Sequence, residues 1–311
     1  MYLRKVPIKD LSYPTIIYDK LSIFHNKDLL RIYEPFINVI GIFNNNDQII
    51  GLFYYFKNFK WGLNYIIPPP FIPFNGLIIN IESEKEERKN SFLKEVHQMI
   101  HNYFIHSEKA LFIRFVLPPN FIDTQVFQWN KWRVKVNYTY QLNLMKSEKE
   151  LFEGLSSEKR KSIRKSEKDG VLIKQENNYS IVKDLVLKTF QRQNKNINKK
   201  YLEKILLEWA NPNNSFAFVA YLNEKPIATT FCVYDQNTSY YLLGGYDAVN
   251  AHHGAGVSCM WNSILKSKHL GKKCFDFEGS MLPQVERYFR DFGGSIVPYY
   301  VCEKKPWYVP L

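Results

Sequence analysis

The sequence predicts an α+β protein built from two similar domains. Short apolar strands bounded by Gly, Asn and Asp turns alternate with helices whose apolar residues recur every three or four positions. Both halves of the chain place a meander of strands before a helix, a strand, a second helix and a final strand. This repeated order indicates a duplicated unit, although the residues themselves are not repeated. Each domain is expected to hold a mixed, mostly antiparallel sheet flanked by helices.

The first half contains predicted strands joined by turns and two predicted helices. The strands cover residues 39–43, 49–56, 63–67, 111–117 and 133–144. A proline-rich loop over residues 68–73 leads to a long helix over residues 84–106, in which apolar residues keep helical spacing. A short helix over residues 122–129 separates the last two strands.

The second half repeats this order. Its predicted strands cover residues 171–175, 216–222, 227–234, 239–246, 274–278 and 297–301. Its predicted helices cover residues 157–168, 181–192, 199–209 and 283–292. One more helix begins near Gly256 and carries one apolar face, formed by Val257, Met260, Trp261, Ile264 and Leu265. We place the boundary near Lys146, which predicts an N-terminal domain of residues 1–145 and a C-terminal domain of residues 146–311.

Composition limits the classes of function. The 311 residues carry a net charge of +12, which favours acidic ligands such as a nucleotide, coenzyme A, tRNA or a nucleotide-linked sugar without choosing among them. Cys232, Cys259, Cys274 and Cys302 show no CxxC spacing, so reduced cysteines in a cytoplasmic protein are expected. No signal-peptide pattern opens the chain and no apolar stretch is long enough to span a bilayer, so membrane insertion is not expected.

The predicted helix over residues 157–168 is unusually basic. It carries six Lys or Arg residues, and Ile163 is its only large apolar residue. Arg160, Arg164 and Lys168 recur every four positions and therefore share one face. Such a face can bind phosphate oxygens. Like charges at this spacing repel one another unless an anion lies between them, and this repulsion favours the interpretation as a phosphate site. The alternative is a solvated helix whose Lys side chains pair with Glu.

A glycine-containing loop leads into the predicted helix that begins near Gly256. The loop residues His253, Gly254, Ala255 and Gly256 follow the strand over residues 239–246. The first backbone N–H groups of a helix have no partner within the helix and can bind a phosphate. The alternative is that the glycines only permit a tight turn at the start of the helix.

Longer motifs resemble a known family. Residues 159–171, KRKSIRKSEKDGV, are similar to the K-x-R-x-x-I-x-K-A-x-K-x-G-V stretch of the Fem-type peptidoglycan aminoacyltransferases and their GNAT-like relatives. FDFEGS at residues 275–280 and RYFRDFGG at residues 287–294 resemble that family's Y-D-F-x-G strand and F-K-K-x-F-G helix. The resemblance covers the N-terminal half only in element order. It implies a bacterial acyltransferase with two GNAT domains in tandem.

The resemblance implies roles for four arginines. Arg160 and Arg164 match the family's basic helix, which is implied to bind the phosphates of the acceptor. Arg287 and Arg290 lie in the last helix, where Fem enzymes carry lysines implied to touch the tRNA end or the developing charge. This chain has Arg rather than Lys at position 290.

The glycine loop also resembles the pyrophosphate loop of GNAT enzymes that use coenzyme A. Gly254 and Gly256 match its glycines, but Ala251 stands where that loop has Arg or Gln. Either coenzyme A binds with one contact fewer, or the loop serves another donor.

Two carboxylates are candidates for acid–base chemistry. Asp276 and Glu278 lie two residues apart on a predicted strand, so their side chains are expected on one face. In acyl transfer to an amine, a positioned carboxylate can accept the proton of the amine, and Glu278 is predicted to be this general base with Asp276 beside it. The alternative is an ion pair of Glu278 with Arg287 or Arg290.

We therefore predict an acyltransferase that moves an acetyl or aminoacyl group to an amine of a phosphate-bearing acceptor, such as a cell-wall precursor. The donor is expected to be acetyl-CoA, another acyl-CoA or aminoacyl-tRNA, with its carbonyl in the gap between the strands over residues 239–246 and 274–278; no metal is expected. Ser280 and Tyr246 are candidates for hydrogen bonds to the substrate or the leaving group. The alternatives are a CoA-dependent N-acetyltransferase for a small metabolite or sugar nucleotide, and a non-catalytic tandem GNAT protein that binds tRNA or another acidic ligand.

Overall fold

The computed structural model of the protein describes residues 1–18, 20–60, 63–108 and 110–305. The chain divides into two compact units. Unit 1 comprises Met1–Asn137 together with the chain from Pro298 onwards, and unit 2 comprises Tyr138–Val297. These units differ from the predicted domains, residues 1–145 and 146–311, because the end of the chain belongs to unit 1.

The secondary structure follows the predicted order, with additional elements near the N-terminus. The strands are β1 (Tyr2–Val6), β2 (Ile37–Phe43), β3 (Ile49–Lys60), β4 (Leu63–Ile67), β5 (Ile78–Ile79), β6 (Phe112–Val116), β7 (Arg133–Asn143), β8 (Leu172–Glu176), β9 (Ser215–Leu222), β10 (Lys225–Tyr234), β11 (Thr238–Tyr246), β12 (Cys274–Asp276) and β13 (Ser295–Lys304). The α-helices are α1 (Thr15–Tyr18), α2 (Lys27–Arg31), α3 (Glu86–Tyr103), α4 (Gln125–Trp129), α5 (Glu148–Glu153), α6 (Ser157–Lys168), α7 (Tyr179–Arg192), α8 (Lys199–Glu203), α9 (Ala255–His269) and α10 (Pro283–Arg290). Single π-helical turns extend α3 over Phe104–Glu108 and α8 over Lys204–Trp209.

In unit 1 the strands lie in the order β1, β2, β3, β4, β6. Neighbours are antiparallel except β4 and β6, which pair in parallel. On its other side β6 pairs antiparallel with residues 301–304 of β13. Helix α3 buries Val96 and Ile100 in the core of this unit, as its helical spacing predicts.

Unit 2 repeats the same plan. Its strands lie in the order β8, β9, β10, β11, β12, β7, and only β11 and β12 pair in parallel. Residues 141–143 of β7 pair antiparallel with β12. The last strand of each unit therefore comes from the part of the sequence assigned to the other domain. This exchange explains the difference in domain boundaries, because a local sequence pattern shows that a strand forms but not which sheet it joins.

The predicted fold class is confirmed: each unit is a mixed, mostly antiparallel sheet with helices packed on it. Helix α9 buries Val257, Met260, Trp261 and Ile264 of the predicted apolar face and leaves Leu265 half-buried. Burial of side chains of this size contributes about 1.5–3 kcal/mol each. This apolar face holds α9 on the sheet of unit 2.

The core of unit 1 contains a buried histidine whose pKa is lowered. His97 on α3 is fully buried, and neither ring nitrogen has a hydrogen-bond partner among the residues that the structure describes. Its ring lies 5.2 Å from that of Phe127. Burial lowers the pKa of His97 from 6.5 to about 4, although the charge of Asp123 opposes this shift. The folded state thus holds the neutral imidazole.

We expect this histidine to make unit 1 less stable as the pH falls. The unfolded chain takes up a proton near pH 6.5 whereas the folded chain does so only near pH 4, so stability is full above pH 6.5 and falls between these values. The difference corresponds to about 3 kcal/mol. His97→Leu should remove this pH dependence from urea unfolding curves measured at pH 7.5 and pH 4.5. His106→Leu, at an exposed position, is the control, and an unchanged pH dependence in the His97 variant would contradict the assignment.

Candidate active site

The site lies where β11 and β12 separate. The two strands pair only over residues 238–240 and 274–276, and β11 then continues to Tyr246. A β-bulge in the pairing of β10 with β11 adds to the bend of β11. Beyond Tyr240, the edge of β11 that faces β12 has no partner strand in the described part of unit 2. Its backbone N–H groups can donate to a ligand carbonyl at the place where the donor carbonyl is expected.

The parallel pairing brings two loops together. Because β11 and β12 run in the same direction, the segments that follow them lie at one edge of the sheet. The segment after β11 contains the glycine loop, and the segment after β12 contains Glu278 and Ser280. The structure thus assembles at one edge the candidate cofactor loop and the candidate base.

The first turn of α9 has free donors. The N–H groups of Gly256 and Val257 make no hydrogen bond within the residues described. A Cβ on Gly256 would meet only Tyr288 Oη, at 3.8 Å, so a side chain here has room beside the turn. Free N–H groups at the positive end of a 15-residue helix can bind a phosphate group.

Gly254 is required for packing and not for phosphate binding. A Cβ at this position would lie 2.4 Å from the carbonyl oxygen of Ser162 and 3.0 Å from the Cβ of Ser166, both on α6. The φ of Gly254 is −85°, which any residue adopts. The glycine therefore serves the close approach of α9 to α6 and not a special backbone conformation. Ala255, the next residue of the predicted loop, is fully buried.

His252 and Asp169 hold the loop on α6. The N–H of Gly254 donates to His252 Nδ1 at 3.2 Å, so Nε2 bears the ring proton and donates to Asp169 Oδ2 at 3.0 Å. Lys165 Nζ lies 2.9 Å from the same oxygen. The hydrogen bonds from His252 and from Lys165 lower the pKa of Asp169. His253, predicted as a loop residue, is exposed and stacks on His252 with 5.0 Å between ring centroids.

Glu278 has three unusual properties. Its φ is +59°, a conformation that is uncommon for side chains other than Gly, Asn and Asp. Its Oε1 is buried and has no hydrogen-bond partner in the described chain. Burial, and then the charge of Asp276, raise the pKa of Glu278 well above its usual value. Strain and a perturbed pKa together are typical of a functional carboxylate.

Asp276, in contrast, has hydrogen-bond partners for both of its carboxylate oxygens. It accepts hydrogen bonds from Thr139 Oγ1 at 2.5 Å, from Gln141 Nε2 at 2.9 Å and from the N–H of Glu278 at 2.8 Å. Burial raises the pKa of Asp276, and these hydrogen bonds oppose the shift. The expected placement of both carboxylates on one strand is wrong, because β12 ends at Asp276 and the chain turns there. Asp276 fixes that turn and thereby positions Glu278.

The alternative ion pair of Glu278 is not formed. Arg287 lies 3.7 Å from Glu158, and Arg290 lies 3.6 Å from Glu286 on its own helix. Both arginines are exposed on α10. They are therefore available to an acidic ligand, since exposed ion pairs of this kind are weak.

The predicted basic face of α6 is divided between two roles. Arg160 donates to the carbonyl oxygens of Glu153 at 2.7 Å and of Leu155 at 2.5 Å, and thus terminates α5. Arg164 is exposed and places its guanidinium 5.7 Å from an aromatic ring of α5. Lys168 is exposed at the end of α6. Arg160 therefore has a structural role that its spacing with Arg164 and Lys168 does not reveal.

Ser280 and Tyr246 lie at the rim of the site. Ser280 Oγ accepts the N–H of Leu282 at 3.1 Å, just before α10 begins. The N–H of Tyr246 donates to Thr189 Oγ1 at 2.7 Å, and the ring of Tyr246 lies 5.6 Å from the Arg192 guanidinium. Tyr246 is thus held on α7 beside a cation.

Lys159 is buried on α6, which the sequence patterns did not predict. Lys159, Ile163 and Ser166 form the buried face of α6. Lys159 Nζ lies 3.9 Å from the centroid of the Tyr288 ring, and Tyr288 Oη donates to the carbonyl oxygen of Gly256 at 3.1 Å. The spacing from Lys159 to Ile163 is the signal that could have placed this lysine on the inner face of the helix.

The second half of the chain matches a family model of GNAT domains. Residues 157–290, which include α6, the glycine loop and Glu278, match the family model described as acetyltransferase (GNAT) domain. No curated protein matches the sequence. In the described residues no helix is long and apolar enough to cross a membrane. The same residues contain no group of three or more His, Cys, Asp or Glu side chains that could hold a metal ion.

Solved structures share the fold of the whole chain. FemX is 12% identical, with a TM-score of 0.67 over 96% of this chain and 97% of FemX. The L-PGS structure from Bacillus licheniformis is 12% identical, with a TM-score of 0.54 over 95% of this chain and 91% of that chain. A tandem GNAT protein from the clavulanic acid biosynthesis pathway is 8% identical, with a TM-score of 0.52 over 90% and 87%. These similarities confirm the predicted tandem GNAT fold.

Proposed function

We propose that this protein transfers an acyl group from a coenzyme A thioester to an amine of a phosphate-bearing acceptor. The observation that carries the proposal is the position of a carboxylate with a raised pKa, Glu278, at the same sheet edge as the free N–H groups of Gly256 and Val257. The free donors suit the pyrophosphate of the coenzyme, and the carboxylate suits a base for the amine.

The residues of unit 2 can perform each step. The open edge of β11 supplies backbone N–H groups for the carbonyl oxygen of the thioester. The nitrogen of the acceptor attacks the carbonyl carbon, the carbon–nitrogen bond forms, and the carbon–sulfur bond breaks with release of the thiolate. Glu278 accepts the proton that the amine nitrogen loses, and the thiolate takes a proton from solvent. No covalent enzyme intermediate is required.

The charge of the protein supports an acidic acceptor. The net charge is +12, and Arg164 and Lys168 on α6 and Arg287 and Arg290 on α10 are exposed. Such cations attract phosphate groups over several ångströms, and the arginines among them can bind phosphate with forked hydrogen bonds. The resemblance of residues 159–171 to Fem-type enzymes makes a cell-wall precursor the first acceptor to test.

Acetyl-CoA binding and amine-dependent thiol release test this function. Calorimetric titration should show micromolar binding of acetyl-CoA. Thiol release from acetyl-CoA should then rise when amine-bearing sugar nucleotides, cell-wall precursors or small metabolites are added. Absence of acetyl-CoA binding, together with binding of aminoacyl-tRNA, would reject the coenzyme as donor. Binding without amine-dependent release for any acceptor would contradict transfer to an amine.

A further inference from the structure

A hollow of about 300 Å³ lies on the sheet of unit 1. It is lined by side chains of β6, β7 and β13 that belong to this unit, and by Pro73 of the proline-rich loop. We call it the unit 1 hollow. Its volume is at the lower end of the range for small-molecule sites.

Three charged side chains form one end of the unit 1 hollow. Arg114 and Glu303 are direct neighbours in the pairing of β6 with β13. Glu303 Oε1 lies 2.9 Å from Arg114 Nε and 2.8 Å from Nη2, and Glu303 Oε2 lies 2.6 Å from Lys135 Nζ. Burial alone raises the pKa of Glu303, but hydrogen bonds from Lys135 and Arg114 outweigh this effect and lower the pKa. Two cations around one ionised carboxylate leave one net positive charge at this end.

The two cations keep donors for a further partner. Within the described residues, Arg114 Nη1 has no hydrogen-bond partner, and Lys135 Nζ contacts only Glu303. The side chain of Glu303 is 5% exposed, whereas those of Arg114 and Lys135 are 47% and 38% exposed. The buried carboxylate thus holds two accessible cations in fixed positions. Stability alone does not explain this arrangement, because a buried carboxylate with its ion pairs is often no more stable than apolar residues of similar volume.

The rest of the unit 1 hollow is apolar and then polar. Val116 and Val301 are direct neighbours in the same strand pairing, two residues along β13 from Glu303, and both are buried. Two residues further along β13, Tyr299 Oη accepts a hydrogen bond from Asn137 Nδ2 at 3.4 Å. Because a strand rises about 3.3 Å per residue, this charged, apolar and polar order extends over about 13 Å.

From this order we propose that the unit 1 hollow binds a small amphipathic anion. Its carboxylate or phosphate would lie at Arg114 and Lys135, and its apolar body on Val116 and Val301. Both head groups present anionic oxygens, which a guanidinium binds with forked hydrogen bonds. This site does not depend on the proposed acyl transfer, because none of its residues belongs to unit 2.

Hexyl phosphate and hexanoate are the probes, titrated into the full chain by calorimetry and followed by ligand-observed NMR. At least one of them should bind, and the tighter one identifies the preferred head group. Hexanol, which lacks the charge, should bind at least about tenfold more weakly. Inorganic phosphate and acetate, which lack the apolar body, should also bind at least about tenfold more weakly. Absence of binding by both anionic probes would overturn the proposal.

Lys135→Met and Arg114→Met test the two cations. Each should weaken binding of the preferred probe at least about tenfold, since each removes a charged hydrogen-bond donor. Lys135→Met leaves the pairing of Arg114 with Glu303 intact and is therefore the variant expected to fold like the wild type. Arg114→Met leaves Glu303 with one cation, so its thermal unfolding is measured alongside.

Arg88→Met is the matched control. Arg88 is an exposed arginine on α3, which packs with Phe115 and Cys302 on the opposite face of the sheet. This variant should bind the probe like the wild type. The probe should raise the unfolding temperature of the wild type and of Arg88→Met, and raise that of Lys135→Met less.

A purely structural role of the charged cluster has a different result. In that case Arg114→Met and Lys135→Met lower the unfolding temperature of the ligand-free protein while probe affinity stays the same. Binding that neither variant alters would place the anion elsewhere on the chain. Either result would overturn the assignment of the unit 1 hollow.

Discussion

Glu278→Gln is expected to reduce the rate of acyl transfer by about 100-fold or more, because general bases contribute roughly 10²–10⁴-fold to such reactions. Glutamine keeps the shape of the side chain but does not accept the proton of the amine. Acetyl-CoA affinity should stay within about twofold of the wild-type value. In free energy this is well below the ~1.4 kcal/mol that a tenfold change in Kd represents. The measurement is single-turnover transfer together with calorimetry on both proteins.

The same variant should also change how stability depends on pH. The pKa of Glu278 is raised in the folded protein, so the folded state holds its proton more tightly than the unfolded chain. The wild type therefore loses stability as the pH rises through that raised pKa. Glu278→Gln should not show this loss. Activity of the wild type should rise over the same pH range, because the base must be ionised.

Glu224→Gln is the matched control for this prediction. Glu224 also has a positive φ, of 65°, but it lies exposed in the turn between β9 and β10. Replacing it should alter neither transfer nor the dependence of stability on pH. Full activity of Glu278→Gln at saturating substrate would show that Glu278 is not the general base.

The two glycines of the α9 loop are expected to respond to alanine in opposite ways. Gly254→Ala forces a methyl group against the backbone of α6, where a Cβ would lie 2.4 Å from a carbonyl oxygen. Such overpacking should destabilise the fold by about 1–3 kcal/mol. Gly256→Ala meets no protein atom closer than 3.8 Å, so it should leave stability unchanged or raise it by up to about 1 kcal/mol.

Acetyl-CoA binding should distinguish the two variants in the opposite way, because Gly256→Ala is expected to lose affinity while it keeps its stability. The methyl group of Gly256→Ala is added in the turn whose free N–H groups are assigned to the pyrophosphate, so we expect acetyl-CoA affinity to fall about tenfold, or about 1.4 kcal/mol. Urea unfolding and calorimetry on both variants provide the measurements. A Gly256→Ala protein that is as stable as the wild type and binds acetyl-CoA equally well would place the pyrophosphate elsewhere.

Much of the fold could be predicted from local sequence patterns. Helix α6 begins at Ser157 and ends at Lys168, as predicted, because Ser156 accepts the N–H of Lys159 and Gly170 follows the helix. The apolar face of α9 was also predicted correctly. Periodicity and capping act between residues a few positions apart, so a single sequence contains them. The glycine loop and the carboxylate after β12 were predicted as candidate site residues from the order of strands and helices around them.

The sequence by itself determined the elements, their order, the tandem GNAT fold and the candidate base. Only the tertiary structure decided which sheet receives β7 and β13, that Asp276 supports the turn of Glu278, and that Arg160 closes α5. It also decided that Lys159 meets Tyr288 beside the first turn of α9. These outcomes depend on close approach between residues far apart in the chain, and the periodicity of one element contains no information about its partner.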